Sequence, residues 1–307
     1  MKIFNGFKIY RKYHNSIILI GNFDGVHLGH QKLFRKARDF KKKFKYKIGV
    51  ITFNPIPKMF FNKNLKNFKL MNFSQKIEQF KKQKVDFLIN QKFSKSFSKI
   101  KAEYFIEKYL NKKIKTKFLF VSNNFKFGNK REGDIKLLKS FENQCNYKLI
   151  IPPPLKKNNK IISSTLIRNL LSNGNLIKAN KYLSRKWAIE GKVEKGRKVG
   201  KKLGYATCNI NIDDYIIAKP GVYSVKVLLD KFSTKINGIA NLGYRPTFNQ
   251  KKILLEVNLF NFNKNIYNRK IKVEFFKFIR SEKKFKNIKQ LTNQIKKDIK
   301  VAKMSFN

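Results

Sequence analysis

Cysteine, histidine, tryptophan and negative charge are all scarce in this sequence, and none of its apolar runs is long. Two cysteines, Cys145 and Cys208, are too few for a disulfide framework and fit a reducing compartment. No stretch approaches the roughly 18 apolar residues that a membrane-spanning helix needs. No extended apolar run follows the N-terminal lysines, as a secretory signal would require. A cytoplasmic protein with no membrane partner is therefore expected. Acidic residues number only 18 against 71 basic ones, which leaves a formal charge of +53.

What is present narrows the class further. Hydrophobic residues make up 42% and aromatics 14% of the chain, which excludes a disordered polycation, since such chains have too little apolar surface to offset chain entropy. At about 100–200 residues per domain, 307 residues predict two domains, placed at 1–183 and 184–307. A charge this large ordinarily marks a nucleic-acid footprint. Only ten of the 71 basic residues are arginine, the residue suited to bidentate reading of phosphates and bases. The excess is also even: 42 basic and 9 acidic residues in 1–183, 29 and 9 in 184–307. Lys, Asn, Phe and Ile, all abundant, can be encoded by A and T alone. Mutational bias in an AT-rich genome accounts for the charge better than a polyanion partner, and no nucleic-acid binding is expected.

The first part alternates short apolar runs with helix-period segments. Strands are predicted at Ile17–Ile20, Ile48–Phe53, Asp86–Ile89, Phe118–Ser122 and Tyr147–Ile151. Helices are predicted at Gly29–Phe44, Ser74–Gln83, Ile100–Leu110, Asp134–Asn143 and Ser164–Leu183. Such alternation predicts a doubly wound parallel α/β sheet, which binds ligands at the carboxyl ends of its strands. Pro152–Pro154 and Lys156–Lys160 read as a loop. After Trp187 come short β-rich runs at Ala188–Val193, Val222–Leu229, Ile236–Asn241, Ile253–Phe260 and Ile271–Phe278, separated by turn residues. They predict a small antiparallel barrel. Ile288, Leu291, Ile295, Ile299 and Ala302 form the apolar stripe of a terminal helix.

The segment Gly21-Asn22-Phe23-Asp24-Gly25-Val26-His27-Leu28-Gly29-His30 joins the first long strand to the first helix. Its glycines admit close backbone approach to a ligand. His27 and His30, two of only three histidines, stand three apart at a helix N-terminus, where amides and dipole favour an anion. The arrangement is suited to stabilising a reacting phosphate. A plain strand–helix turn, or a metal site lacking its other ligands, are the competing readings. Asn22 and Asp24 orient ligand or cap the helix. Ser163, Ser164, Thr165 and Arg168 read either as a helix cap or as phosphate ligands. In the second part, Gly196, Gly200 and Gly204 punctuate a Lys-rich loop that is either a solvated turn or a phosphate cradle. Thr207 and Asn209 alternate onto one strand face and can offer neutral oxygens to Mg²⁺. Glu256 interrupts an apolar strand, as an exposed-face residue or as a general base.

These motifs together resemble the bacterial bifunctional riboflavin kinase/FAD synthetase family, from about Ile17 to Ala302. GxFDGxHxGH at Gly21–His30 is similar to its nucleotidylyltransferase signature; TFNPIP (Thr52–Pro57), NNFKFGNKREGD (Asn123–Asp134) and ISSTLIR (Ile162–Arg168) follow in its order. The resemblance implies ATP binding by Gly21, Asn22, Phe23, Asp24, Gly25, His27, His30, Asn124, Ser163, Ser164, Thr165 and Arg168. Residues 196–209 resemble the kinase loop and its PTxN motif, implying ATP at Gly196, Gly200 and Gly204 and Mg²⁺ at Thr207 and Asn209. Pro220–Tyr223 and Asn241–Thr247 recur in the family's order. Glu256 then stands as the base that accepts the riboflavin 5′-hydroxyl proton, and Arg280 and Glu282 lie on the flavin side. The implied activities are phosphorylation of riboflavin to FMN and adenylylation of FMN to FAD, with ATP as co-substrate. The alternatives are a nucleotidylyltransferase with another acceptor and a basic nucleic-acid-binding protein. Ala206 stands where the family usually has Pro, and Ser122 and Asn124 where Gly and Asp are frequent. Ile56 replaces a common polar residue and Asn258 a common His.

Overall fold

The computed structural model describes residues 1–194, 205–212, 214–229, 235–246 and 251–306. They form two compact units, Met1–Lys66 with Phe73–Ser163, and Asn67–Asn72 with Ser164–Asn307.

Six strands make up the sheet of the first unit: β1 (Lys2–Phe4), β2 (Ile17–Ile20), β3 (Ile48–Asn54), β4 (Phe87–Lys92), β5 (Phe118–Phe120) and β6 (Lys148–Ile150). Their order is β1-β4-β3-β2-β5-β6, and every neighbouring pair is parallel. Ile17, Ile18, Leu19, Phe87, Leu88 and Ile89 are all fully buried, as expected of a sheet covered on both faces. The chain runs from β2 out to β3 and β4, then returns to place β5 on the other side of β2. The point of reversal is thus at β2, and its crevice opens at the carboxyl ends. The helices are α1 (Leu28–Phe44), α2 (Pro57–Phe61), α3 (Phe73–Lys82), α4 (Lys95–Ser98), α5 (Ala102–Tyr104) and α6 (Ile135–Ser140). The helix expected over 100–110 is α5 continued as a π-helix, Phe105–Lys113, which buries Phe105, Ile106 and Leu110. Edge strand β1 is too short for any period to reveal. The loop expected at 156–160 contains a hairpin, β7 (Lys156–Lys157) with β8 (Lys160–Ile161). Asn158 and Asn159 both have positive φ there, the backbone that tight hairpin turns require.

The second unit begins with α7 (Ser164–Ser172) and α8 (Leu176–Leu183). One helix is predicted over 164–183; the break falls at Gly174, whose φ is +78°, and the Asn175 side chain caps α8 by accepting from Lys178 N. Six strands close an antiparallel barrel in the order β10-β13-β12-β11-β14-β9. They are β9 (Ala188–Glu194), β10 (Cys208–Asn211), β11 (Gly221–Leu229), β12 (Ile236–Pro246), β13 (Lys251–Leu259) and β14 (Lys270–Ser281). Ile210, Leu242, Leu255 and Val257 are buried in it. The compact unit starts at Ser164, whereas the sequence boundary lies at 183/184. The reason is that α8 is tied to the barrel: Asn180 Nδ2 donates to Phe275 O (3.0 Å) and its Oδ1 accepts from Trp187 N (2.7 Å). Trp187 packs on Phe275 and donates from Nε1 to Leu70 O, which draws in 67–72. The terminal helix, α9 (Ile288–Met304), packs Ile299 and Ala302 against Val222, Ile239, Phe260 and Ile279. The expected stripe is shifted at its start: Ile288 is exposed, and the buried positions are Asp298 and Ala302.

Candidate active sites

The first constellation is the loop from β2 to α1, at the reversal point of the sheet. Phe23 (φ +47°), Gly25 (φ +87°) and Val26 (φ +36°) are all left-handed. Glycine adopts that backbone freely, whereas Phe23 and Val26 store strain of about 1–3 kcal/mol each. Packing holds them: Val26 is fully buried, and Phe23 lies against Phe34 (5.2 Å) and Phe80 (5.8 Å). His27 caps α1, its Nδ1 accepting from His30 N at 3.4 Å. The neutral ring therefore carries its proton on Nε2. The two imidazoles stack, with centroids 3.7 Å apart and planes inclined by 22°. Two ring N–H groups thus stand together beside the positive end of a 17-residue helix. Asp24 is buried beside them in sequence. A Cβ on Gly29 would lie 2.9 Å from Ile162 O and 3.1 Å from the His27 ring. The start of the ISSTLIR segment therefore runs against the first turn of α1, with Ser163 next in the chain.

Other residues of this unit reach the same end of the sheet. Thr52 at the end of β3 donates from Oγ1 to Asn22 O (3.4 Å) and pairs in register with Asn90 of β4. The Oδ1 atoms of Asn22 and Asn90 are buried with no hydrogen-bond partner among the described residues. Asn124 follows β5 and its Oδ1 accepts from Ser122 Oγ at 3.0 Å, so two departures from the family pattern bond to each other. A third, Ile56, is buried ahead of α2. Sequence reasoning missed an aromatic wall beyond β3 and β4. Phe93 packs on Phe53, Phe60, Phe61 and Phe97 with centroids 5.2–6.0 Å apart. Phe61 is 69% exposed. With 30 phenylalanines in the chain, no single one stands out by type.

Ser164, Thr165 and Arg168 lie on α7, in the second unit. The Arg168 guanidinium is 3.7 Å from the centre of the Phe68 ring and donates from Nε to Phe68 O (2.8 Å). Gly196, Gly200, Gly204 and Thr247 fall outside the described residues.

The barrel assembles its constellation across strands. Asn209 of β10 faces Glu256 of β13, which faces Asn241 of β12. Asn241 faces Val222 of β11, and Val222 faces Arg280 of β14. Directly opposed residues share a face. Leu255 and Val257, on either side of Glu256, are buried. The row therefore lies on the outer surface of the barrel, under α9 at its Val222 end. Asn209 is 6% exposed, and its Oδ1 has no hydrogen-bond partner among the described residues. Thr207 stands two residues before it. Between them, burial pushes the Cys208 thiol up to about 12. Arg280, expected on the flavin, is committed to Asp298 of α9 through Nε (2.9 Å) and Nη2 (2.7 Å), and donates from Nη1 to Ser281 O. Glu282 folds back on β12, where a Cβ on Gly243 would overlap its Oε1. Burial holds its carboxyl above the usual range. Among the described residues no group of three or more His, Cys, Asp or Glu side chains could hold a metal ion.

Comparison with known proteins matches a family profile to each part of the chain. The FAD synthetase family profile matches residues 10–166 and the riboflavin kinase profile residues 183–306. A protein of Buchnera aphidicola (subspecies Schizaphis graminum), described as a bifunctional riboflavin kinase/FMN adenylyltransferase, is 42% identical over 100% of this chain and 99% of its own. A Haemophilus influenzae protein of the same description is 38% identical over 94% of each chain. Among solved structures, a Streptococcus pneumoniae chain titled a macrolide-efflux protein superposes with a TM-score of 0.85 at 30% identity, over 98% of both chains. Among the described residues no helix is long and apolar enough to cross a membrane.

Proposed function

The chain belongs to the bifunctional riboflavin kinase/FMN adenylyltransferase family and carries both activities, using ATP, riboflavin and FMN, and we propose the following division of labour. The barrel unit phosphorylates riboflavin, and the parallel-sheet unit adenylylates the FMN that results. The observation that carries the reading is the in-register row Asn209–Glu256–Asn241, in which a buried amide oxygen, without a hydrogen-bond partner among the described residues, stands next to the one carboxylate of β13.

In the kinase step Glu256 accepts the proton of the riboflavin 5′-hydroxyl as that oxygen bonds to the γ-phosphorus of ATP and ADP leaves. A carboxylate positioned for such a transfer contributes about 10²–10⁴-fold. Asn209 Oδ1 is a buried acceptor with no hydrogen-bond partner among the described residues. With Thr207 Oγ1 it fits Mg²⁺, which takes few protein ligands beside substrate phosphates. When bound, Mg²⁺ neutralises phosphate charge. Gly196, Gly200 and Gly204 are assigned to the ATP phosphates by motif alone. Glu282 borders the flavin side, and Arg280 acts there by docking α9.

In the adenylyl step an FMN phosphate oxygen bonds to the α-phosphorus of ATP, and pyrophosphate leaves. His27 and His30 donate to the phosphate oxygens, helped by the α1 amides, with no covalent intermediate. Gly21, Asn22, Phe23, Asp24 and Gly25 shape the cradle, and Asn124, Ser163, Ser164, Thr165 and Arg168 are assigned to ATP by motif alone. The planar flavin stacks on the aromatic wall at Phe61 and Phe93. The buried free thiols Cys145 and Cys208 support a cytoplasmic setting. The lysine excess is assigned no nucleic-acid role.

The test separates flavins after incubation with riboflavin, ATP and Mg²⁺. Glu256→Gln blocks FMN formation and leaves FMN-to-FAD conversion intact; His30→Ala lets FMN accumulate. Loss of both reactions in either folded variant overturns the division.

A further inference from the structure

We propose that Asn258 is a positioning residue of the kinase, holding through Ala206 the segment that leads through Thr207 into β10 and its Asn209. The inference rests on the assignment of those two residues made above. Residues 205–207 precede β10, whose ladder pairing begins at Cys208. Among the described residues no strand pairing reaches Thr207. Ala206 lacks the ring that would lock φ, so its backbone brings no order of its own. One hydrogen bond supplies it: Asn258 Nδ2 donates to Ala206 O at 2.7 Å. Among the described residues no other hydrogen bond reaches 205–207.

The donor is itself rigidly mounted. Asn258 lies on β13, paired with Ile239 of β12 and two residues from Glu256, on the same outward face. A Cβ on Gly238 would stand 2.5 Å from Asn258 O, so β12 and β13 are already as close as a glycine allows. Among the described residues, drift of the 205–207 segment must stretch this bond or move a packed strand. The bond thus ties the phosphate-side residues to the strand that carries the base. It links two departures from the family pattern: the chain has no ring at 206, and an amide donor at 258 takes over the restraint.

Three predictions follow from the geometry. Asn258→Ala and Asn258→Asp both remove the donor. In the full chain each raises the Mg²⁺ concentration needed for half-maximal FMN formation about tenfold, while FMN-to-FAD conversion is unchanged. In the protein without ligands, amide hydrogen exchange of the 205–212 peptide accelerates about tenfold. Ala206→Pro restores both quantities, because it supplies the φ restraint covalently; Ala206 is not at positive φ, and its N–H makes no hydrogen bond among the described residues. Unchanged exchange in both Asn258 variants overturns the inference, as does failure of Ala206→Pro to rescue Asn258→Asp. Trp187 fluorescence establishes that each variant is folded. If instead Thr207→Ala and Asn209→Ala leave FMN formation intact, the metal-site reading falls, and exchange still reports on the clamp by itself.

Discussion

The two units solve the same problem, an in-line displacement at phosphorus, with different kinds of construction. In the parallel-sheet unit the residues of the proposed site are neighbours in sequence: His27 and His30 sit within one turn, positioned by a strained loop and a helix end. In the barrel unit the residues of the proposed site are distant: Asn209 and Glu256 come from two strands and meet only through register. A local site depends on a few backbone angles and tolerates change elsewhere. A register-built site depends on every strand pairing between its members, and on whatever fixes the sheet's outer face. The barrel site should therefore respond to changes in packing far from the chemistry, and the sheet site to changes within its own loop.

The largest effect that would expose this contrast is removal of Asp298. Its carboxylate is buried against Arg280, and breaking a buried pair by deleting one partner costs about 3–5 kcal/mol. Asp298→Ala is expected to unseat α9, lower the unfolding midpoint followed by Trp187 fluorescence, and abolish FMN formation. FMN-to-FAD conversion should persist below that midpoint. Equal loss of both activities there would mean that the units are not independent.

The converse change is Gly29→Ala. The added Cβ meets the Ile162 carbonyl at 2.9 Å, so α1 or the Ile162 segment must shift by tenths of an ångström. Misplacement near 1 Å can cost 10²-fold, and a shift of this size is expected to slow FAD formation about tenfold in single-turnover assays. Riboflavin phosphorylation should keep its rate. A matching fall in both would contradict the local character of the site.

Removing the exposed edge of the aromatic wall should be milder. Phe61→Ala takes away one face for the flavin ring, and stacking of this kind is worth about 0.5–1.5 kcal/mol. The KM for FMN is expected to rise roughly three- to tenfold with kcat nearly unchanged. An unaltered KM would remove Phe61 from the flavin site.

The smallest effect concerns Cys208, between the two proposed Mg²⁺ residues. Its thiol is raised to about 12 by burial. The reactive thiolate is therefore absent below that pH and forms only as pH rises through it, so the native protein should resist alkylation at pH 8. Rapid labelling of Cys208, read by mass spectrometry, would show that the start of β10 opens readily, and would weaken the picture of a register-held barrel.

Legibility in the sequence follows the same division. The strand–helix alternation of the first unit and its histidine loop could be read directly, since periodicity and motif spacing are local properties. So could the run of barrel strands and the terminal helix. Edge strand β1 carries too few residues for a period, and the Asn158–Asn159 hairpin hides in a lysine-rich loop. The break between α7 and α8 rests on one left-handed glycine and the Asn175 cap, and the transfer of α8 to the barrel unit depends on long-range partners, Asn180 with Phe275 and Trp187 with Leu70. Arg280 is placed on the flavin side by its motif; its pairing with Asp298, which spans β14 and α9, is not legible from spacing. Phe61 and Phe93 were hidden among many similar residues.

By itself, then, the sequence determined two domains, their classes, the order of their elements and the chemistry available to His27, His30, Thr207, Asn209 and Glu256. Those properties depend on residue type and short spacing, and neighbouring residues interact wherever the chain is placed. Only the tertiary structure decided that Asn209, Glu256 and Asn241 share one row, that Arg280 is spent on Asp298, and that Asn258 restrains Ala206. Register and packing are set by the whole barrel closing on itself. A shift of one residue in one strand would turn each of those side chains to the other face.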